Sequence, residues 1–210
     1  YYQVYLSDYD INVELTAGLR TGVQRYIFDD KHQQGQIKLD LDYARNWDKT
    51  VATELHIIDK NVIAGYRKST GWAKDQRVYF YSVFSQPFTE HSILNQGKEL
   101  SQDTSIYQTV GNHGLTALFN FDLSNNKQII VKTAISSVSI ANAKQNLLAD
   151  GLNKSFAHYQ QQAQKKWHTA LSAVKIKADP DNMVQFYTAM YHSYLAPRVF
   201  SDSNGQYKGP

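Results

Sequence analysis

"KQIIVKTAISSV" (127–138) runs straight into "SIANAKQNLLADG" (139–151), and the rhythm of the chain changes between them. The first segment reads as a strand. The second opens on a serine able to cap a helix and closes on a glycine able to end one. This switch divides the chain into a strand text and a helix text.

Upstream, residues 1 to about 137 read as strands. Period-two alternation marks Val4-Leu6, Ile11-Val13-Leu15, "TGVQRYIF" (21–28) and "GQIKLDLDY" (35–43). It continues in "TVATELHII" (50–58), "NVIAGYRKST" (61–70), "QRVYFYSVFS" (76–85) and "GLTALFNFD" (114–122). Turn signals separate these runs: "DDKHQQG", "IDKN", "NQGKELSQD" and "DLSNNK". Short strands at this spacing, with no helices between them, predict an antiparallel β-sandwich rather than a βαβ sheet.

Downstream, "KSFAHYQQQAQKKWHTALSAV" (154–174) places Phe156, Tyr159, Ala163, Trp167, Ala170 and Leu171 at helical spacing. "VKIKADPD" (174–181) is a short extended connection. "DNMVQFYTAMYHSYLAP" (181–197) then opens on Asp181 as a cap and carries apolar residues on nearly every face. Such a helix is expected to be buried inside a larger helical assembly. Three helices are too few to surround it, so its cover is expected outside these residues.

Composition sets the outer limits. Of 210 residues, 42% are apolar, which suits a folded core. Fifteen Tyr and nine Phe fit strand interiors first and sugar-binding surfaces second. A net charge of +3 without a basic block argues against nucleic acid as a partner. The absence of cysteine excludes disulfides, thiolate metal sites and cysteine catalysis. The first residues, Tyr1-Tyr2-Gln3, show neither an initiator methionine nor a signal peptide, and the start reads as processed or cut. No apolar run approaches the roughly 20 residues of a membrane helix.

Residue types alone do not identify a reaction. There is no phosphate loop, no H-E-x-x-H and no G-x-S-x-G. The seven histidines are scattered, without the spacing of a zinc pair. "DSNG" (202–205) is rich in oxygen ligands, but Gly205 comes too early for a calcium loop of the D-x-[DN]-x-[DN]-G type. "STGWAKDQ" (69–76) sets Trp72 in a loop between two strands. Two readings stand for it: stacking on a sugar ring, or anchoring its loop by packing on its own sheet.

Four stretches carry a resemblance: "INVELTAGLRTGVQRYIF" (11–28), "GWAKDQRVYFYSVFSQPF" (71–88), "SSVSIANAKQNLLAD" (136–150) and "FYTAMYHSYLAPRVFSDSNGQYKG" (186–209). In order and spacing the chain resembles family 92 of the glycoside hydrolases, the calcium-dependent, exo-acting α-mannosidases. The last stretch is the most specific. The resemblance implies a β-sandwich joined by helices to an (α/α)6 barrel, with the active site between the two domains. It implies hydrolysis of a terminal α-mannosyl residue with inversion, on a mannose-containing glycan, with calcium bound at the sugar.

The resemblance also sets the expected boundaries. Residues 1–138 are the sandwich, incomplete at its N-terminus. Residues 139–180 are a helical linker, and residues 181–210 open the barrel, whose remainder is the missing partner domain. The general acid, the base and the calcium ligands are expected beyond residue 210. No catalytic or metal-binding residue is therefore assigned within the chain, and these 210 residues alone are expected to be inactive. Asp202, in the turn after the last helix, is the expected sugar contact, accepting hydrogen bonds from mannose hydroxyls nearest the cleaved bond. The alternative for Asp202 is capping a following helix. Export to the periplasm, cell surface or medium is a further implication. Two other readings stand beside this one: a non-catalytic carbohydrate-binding sandwich with a helical tail, and an unrelated sandwich-plus-barrel hydrolase or phosphorylase.

Overall fold

The computed structural model describes residues 1–44, 46–196 and 198–209. Twelve strands and three helices are seen among them. Every strand pairing is antiparallel. The strands are β1 (Tyr2–Leu6), β2 (Ile11–Ala17), β3 (Thr21–Phe28), β4 (Gln34–Asp40), β5 (Lys49–Asp59) and β6 (Val62–Thr70). They continue as β7 (Gln76–Phe84), β8 (Glu90–Asn95), β9 (Lys98–Glu99), β10 (Ile106–Val110), β11 (Leu115–Asp122) and β12 (Gln128–Ser136). An eight-stranded sheet runs β1-β2-β3-β12-β7-β6-β5-β10, and a four-stranded sheet runs β4-β11-β8-β9.

Alternation explains why the sheets stack. β11 reads "LTALFNFD", and Leu115, Ala117, Phe119 and Phe121 are buried while the residues between them are not. From the large sheet, Leu55, Ile63, Phe80, Phe84, Ile129 and Val131 meet them in one core. An aromatic knot sits at its centre: the Phe84 ring lies 5.5 Å from Phe119 and 5.3 Å from Phe121, and Phe88 lies 5.0 Å from Phe119. Tilted and edge-on pairs at this range add to the burial of apolar area.

The antiparallel sandwich agrees with the sequence expectation. Strands β8, β9 and β10 do not appear in the sequence reading, which takes "NQGKELSQD" as a turn. The turn itself is tighter, at Gln96 and Gly97, both at positive φ (50° and 75°), with short strands on either side. β8 and β10 carry a thin apolar signal: Ile93 is the one fully buried position of β8, and in β10 half of the inward set is a threonine.

The large sheet is covered on its outer face by helices. Helix α1 (Ile140–Asp150) is capped by the Ser139 hydroxyl, which accepts from the Asn142 N–H at 3.1 Å. It ends on Gly151 in the left-handed region, φ 104°, where a side chain would be strained. It lies against β12 and β7, burying Asn142, Ala143, Asn146 and Leu147. Helix α2 (Phe156–Leu171) starts at the Ser155 cap and buries its first turn, Phe156 and Tyr159, against Val23 and Ile130.

Helix α3 (Pro180–Ser193) is capped by Asp179, whose carboxylate accepts from the Asn182 N–H at 3.1 Å. This corrects the expected cap at Asp181. Pro180 is suited to the first helical position because its fixed φ matches the helix and it lacks a donor to satisfy, so the helix begins earlier. Among the described residues α3 buries no side chain. Its Tyr191 ring lies 4.5 Å from Trp167 of α2, and its Tyr187 hydroxyl donates to the Val174 carbonyl at 3.1 Å.

Candidate functional site

A groove of about 930 Å³ opens at one end of the large sheet. Its walls are the β2–β3 hairpin (Ala17 to Gly22), the β6–β7 loop around Trp72 and Asp75, and the segment from Val199 to Gly209. It lies where the sandwich, α1 and the chain after α3 converge.

Each wall is fixed by specific bonds. In the hairpin, the Arg20 N–H donates to Asp150 Oδ2 of α1 at 2.7 Å, and Arg20 Nε donates to the Ser201 carbonyl at 2.8 Å. Arg20 thus ties the hairpin both to α1 and to the segment after α3. At the β6–β7 loop, Arg77 of β7 forks onto the loop residue Asp75 at 2.9 and 2.6 Å. Lys208 Nζ donates to the Asp75 carbonyl at 3.0 Å. The hydrogen bonds and charge of Arg77, with Lys208 behind them, hold the Asp75 carboxyl below the ordinary carboxylate range. Asp75 is therefore an anion at neutral pH and suited to binding or bracing, not to donating a proton.

Asp202 borders the groove with 4% of its surface exposed. Its carboxylate is engaged by its own chain. Oδ2 accepts from Ser136 Oγ at 2.6 Å and Asn142 Nδ2 at 2.8 Å, and Oδ1 accepts from Asn146 Nδ2 at 2.7 Å. Asn142 and Asn146 stand four apart on α1, so one face of the helix presents both amides. The Ser203 N–H returns a bond to Asn146 Oδ1 at 2.7 Å, and Asn142 also donates to Gln206 Oε1 at 2.8 Å. The 202–206 turn is thereby latched onto α1 and the end of β12. A sugar hydroxyl reaching Asp202 would compete with three donors already in place. No helix follows for it to cap among the described residues.

Trp72 lines the groove and is 89% exposed, so it is not packed onto its sheet. Its neighbour is Trp47, 58% exposed, with ring centroids 5.9 Å apart and tilted by 43°. Sequence reasoning overlooked Trp47, because nothing local links the β4–β5 and β6–β7 loops.

Calcium does not fit the residues at this groove. The oxygens of the "DSNG" turn face donors rather than an open centre: Asp202 as above, and Asn204 Oδ1 accepting from the Gln206 N–H at 3.1 Å. Among the described residues no cluster of three His, Asp or Glu could hold a metal.

Residues 1–136 match the glycosyl hydrolase family 92 N-terminal domain, and residues 142–210 match the family 92 catalytic domain. The chain belongs to glycoside hydrolase family 92. Its fold superposes on the family GH92 alpha-mannosidase BT3965 from Bacteroides thetaiotaomicron with a TM-score of 0.90 and 30% identity, over 99% of this chain and 28% of that one. A second structure of that enzyme, in complex with mannoimidazole, gives the same TM-score of 0.90 over 27% of its chain. The inverting mannosidase BT2199 from Bacteroides thetaiotaomicron VPI-5482 matches in fold, with a TM-score of 0.83 and 22% identity over 28% of its length. The chain thus spans little more than a quarter of these relatives. No curated protein sequence matches it significantly.

Proposed function

We propose that the chain is the N-terminal portion of an exo-acting, inverting α-mannosidase that removes terminal α-linked mannose from glycans. The observation that carries this is the groove at the junction of the two family 92 segments, with the exposed Trp72 at its lip. An indole offers an apolar face to the C–H face of a pyranose, and Arg20, Asp75, Arg77 and Lys208 supply polar groups around it. Trp72 is the substrate-contacting residue of this proposal. Asp202 holds the wall in place through Ser136, Asn142 and Asn146.

Inversion requires a general acid and a base far enough apart to hold a water between sugar and base. No pair in this chain is assigned those roles; they belong to the rest of the catalytic domain. Calcium, which the resemblance implies, has its ligands there as well. Export, a bacterial source and a role in N-glycan breakdown also form part of the proposal and rest on the family resemblance. Among the described residues no helix is long and apolar enough to cross a membrane.

The test is mannose release. The product of the full parent reading frame should liberate mannose from α-mannobiose, and a chelator should abolish the release. The 210-residue chain alone should release none. A parent protein that binds mannosides without cleaving them would favour the carbohydrate-binding reading.

A further inference from the structure

Trp47 stands on a loop that is braced more heavily than a surface turn requires. Arg67 of β6 donates from Nε to the Leu41 carbonyl at 3.1 Å, from Nη1 to Asp48 Oδ2 at 2.7 Å, and from Nη2 to Thr50 Oγ1 at 3.1 Å. One guanidinium thus pins both ends of the segment carrying Trp47. On the other side, a Cβ on Gly71 would come within 3.2 Å of the Asp48 Cα, tighter than ordinary contact. The loop before Trp72 and the loop after Trp47 therefore lie back to back, with space for glycine but little for a side chain. Two indoles from separate loops are mounted on one frame.

The pair remains largely in water. Trp47 and Trp72 touch only along tilted rings, and both leave more than half of their surface exposed. Leaving so much indole in water forgoes about 25 cal/mol for each Å² of apolar area. Trp72 lines the groove, and Trp47 extends the aromatic surface beyond it. In an exo-acting hydrolase the terminal sugar fills the groove and the leaving group emerges over the lip. We infer that Trp47 stacks on the sugar to which the terminal mannose is attached. It is a specificity-determining residue for glycosides whose leaving group is itself a pyranose. The inference rests on the mannosidase reading above. Binding energy drawn from the leaving-group sugar raises the rate on a disaccharide and is lost on a substrate without one.

The test compares α-mannobiose with α-mannosyl fluoride, whose leaving group offers nothing to stack on, using the full parent enzyme. The ratio of kcat/KM on mannobiose to kcat/KM on the fluoride should fall about tenfold in Trp47→Ala, the scale of one lost aromatic contact, and recover in Trp47→Phe. Thermal melting of both variants controls for folding. An unchanged ratio, through equal losses on both substrates or through no loss at all, would overturn the inference and leave the mannosidase reading intact. A parent enzyme that cleaves neither substrate would refute that reading, and this inference with it.

Discussion

Helices α1 and α3 are similar in length and both are capped, yet they end differently. α1 buries four side chains against the large sheet, and its two asparagines latch the 202–206 turn. α3 buries none, and Val184 is 66% exposed. The difference shows which burial the chain completes by itself. The sandwich and α1 close their own apolar core, and the buried amides of Asn142 and Asn146 find partners within the chain. α3 offers apolar residues that these elements do not cover. The turn after α3 nevertheless returns to the sandwich and α1, so the groove wall is held although the helix before it buries no side chain.

Substitutions can break this contrast, beginning where the effect is greatest. Phe119→Ala in the aromatic knot should cost about 3–5 kcal/mol, read from the urea midpoint of the chain. Next comes Asn146→Ala, which strips one of three donors from the buried Asp202 carboxylate and should cost about 1–3 kcal/mol. Its signature should be local, with hydrogen exchange rising over 201–206 while β11 stays protected. Equal loosening of β11 would mean that the latch is part of the core and not a separate fastening.

Tyr159→Phe removes the bond from the Tyr159 hydroxyl to the Gly151 carbonyl, 3.0 Å, and should cost about 0.5–1.5 kcal/mol. Burial, with the nearby Asp150 charge, pushes the Tyr159 phenol up to about 12 from 10.0. The folded state therefore holds this proton more tightly than the unfolded chain does. Its contribution is complete below about pH 10 and is lost as pH rises toward 12. An alkaline unfolding titration should show that slope in the wild type and a shallower one in Tyr159→Phe. The smallest effect belongs to Val184→Ser on α3, within about 0.5 kcal/mol in the 210-residue chain. A larger loss there would show that α3 already has cover.

Much of the fold was legible because burial imposes a period. β11 buries every second residue, β12 does so at Ile129 and Val131 before its buried positions change face at Ala134, α1 shows both caps, and the switch at residues 138–139 falls where the structure turns from strand to helix. β8 and β10 escaped notice because partners in space, not a run of apolar residues, make them strands. At α3, the first helical residue was set by a proline whose preference for that position outweighed a second aspartate. The site was less legible. Asp202 stood out by type, but its partners lie 56 to 66 positions away, and no local pattern announces a hydroxyl and two amides converging on one carboxylate. Trp72 was visible as an indole in a loop. That it lines a groove, and that Trp47 stands beside it, follows from tertiary packing alone.

The most direct test of the account is the anomer formed first. Proton NMR recorded while the full parent protein hydrolyses an α-mannoside should show β-mannose appearing before mutarotation. Initial release of α-mannose, or no release from any α-mannoside, would contradict it.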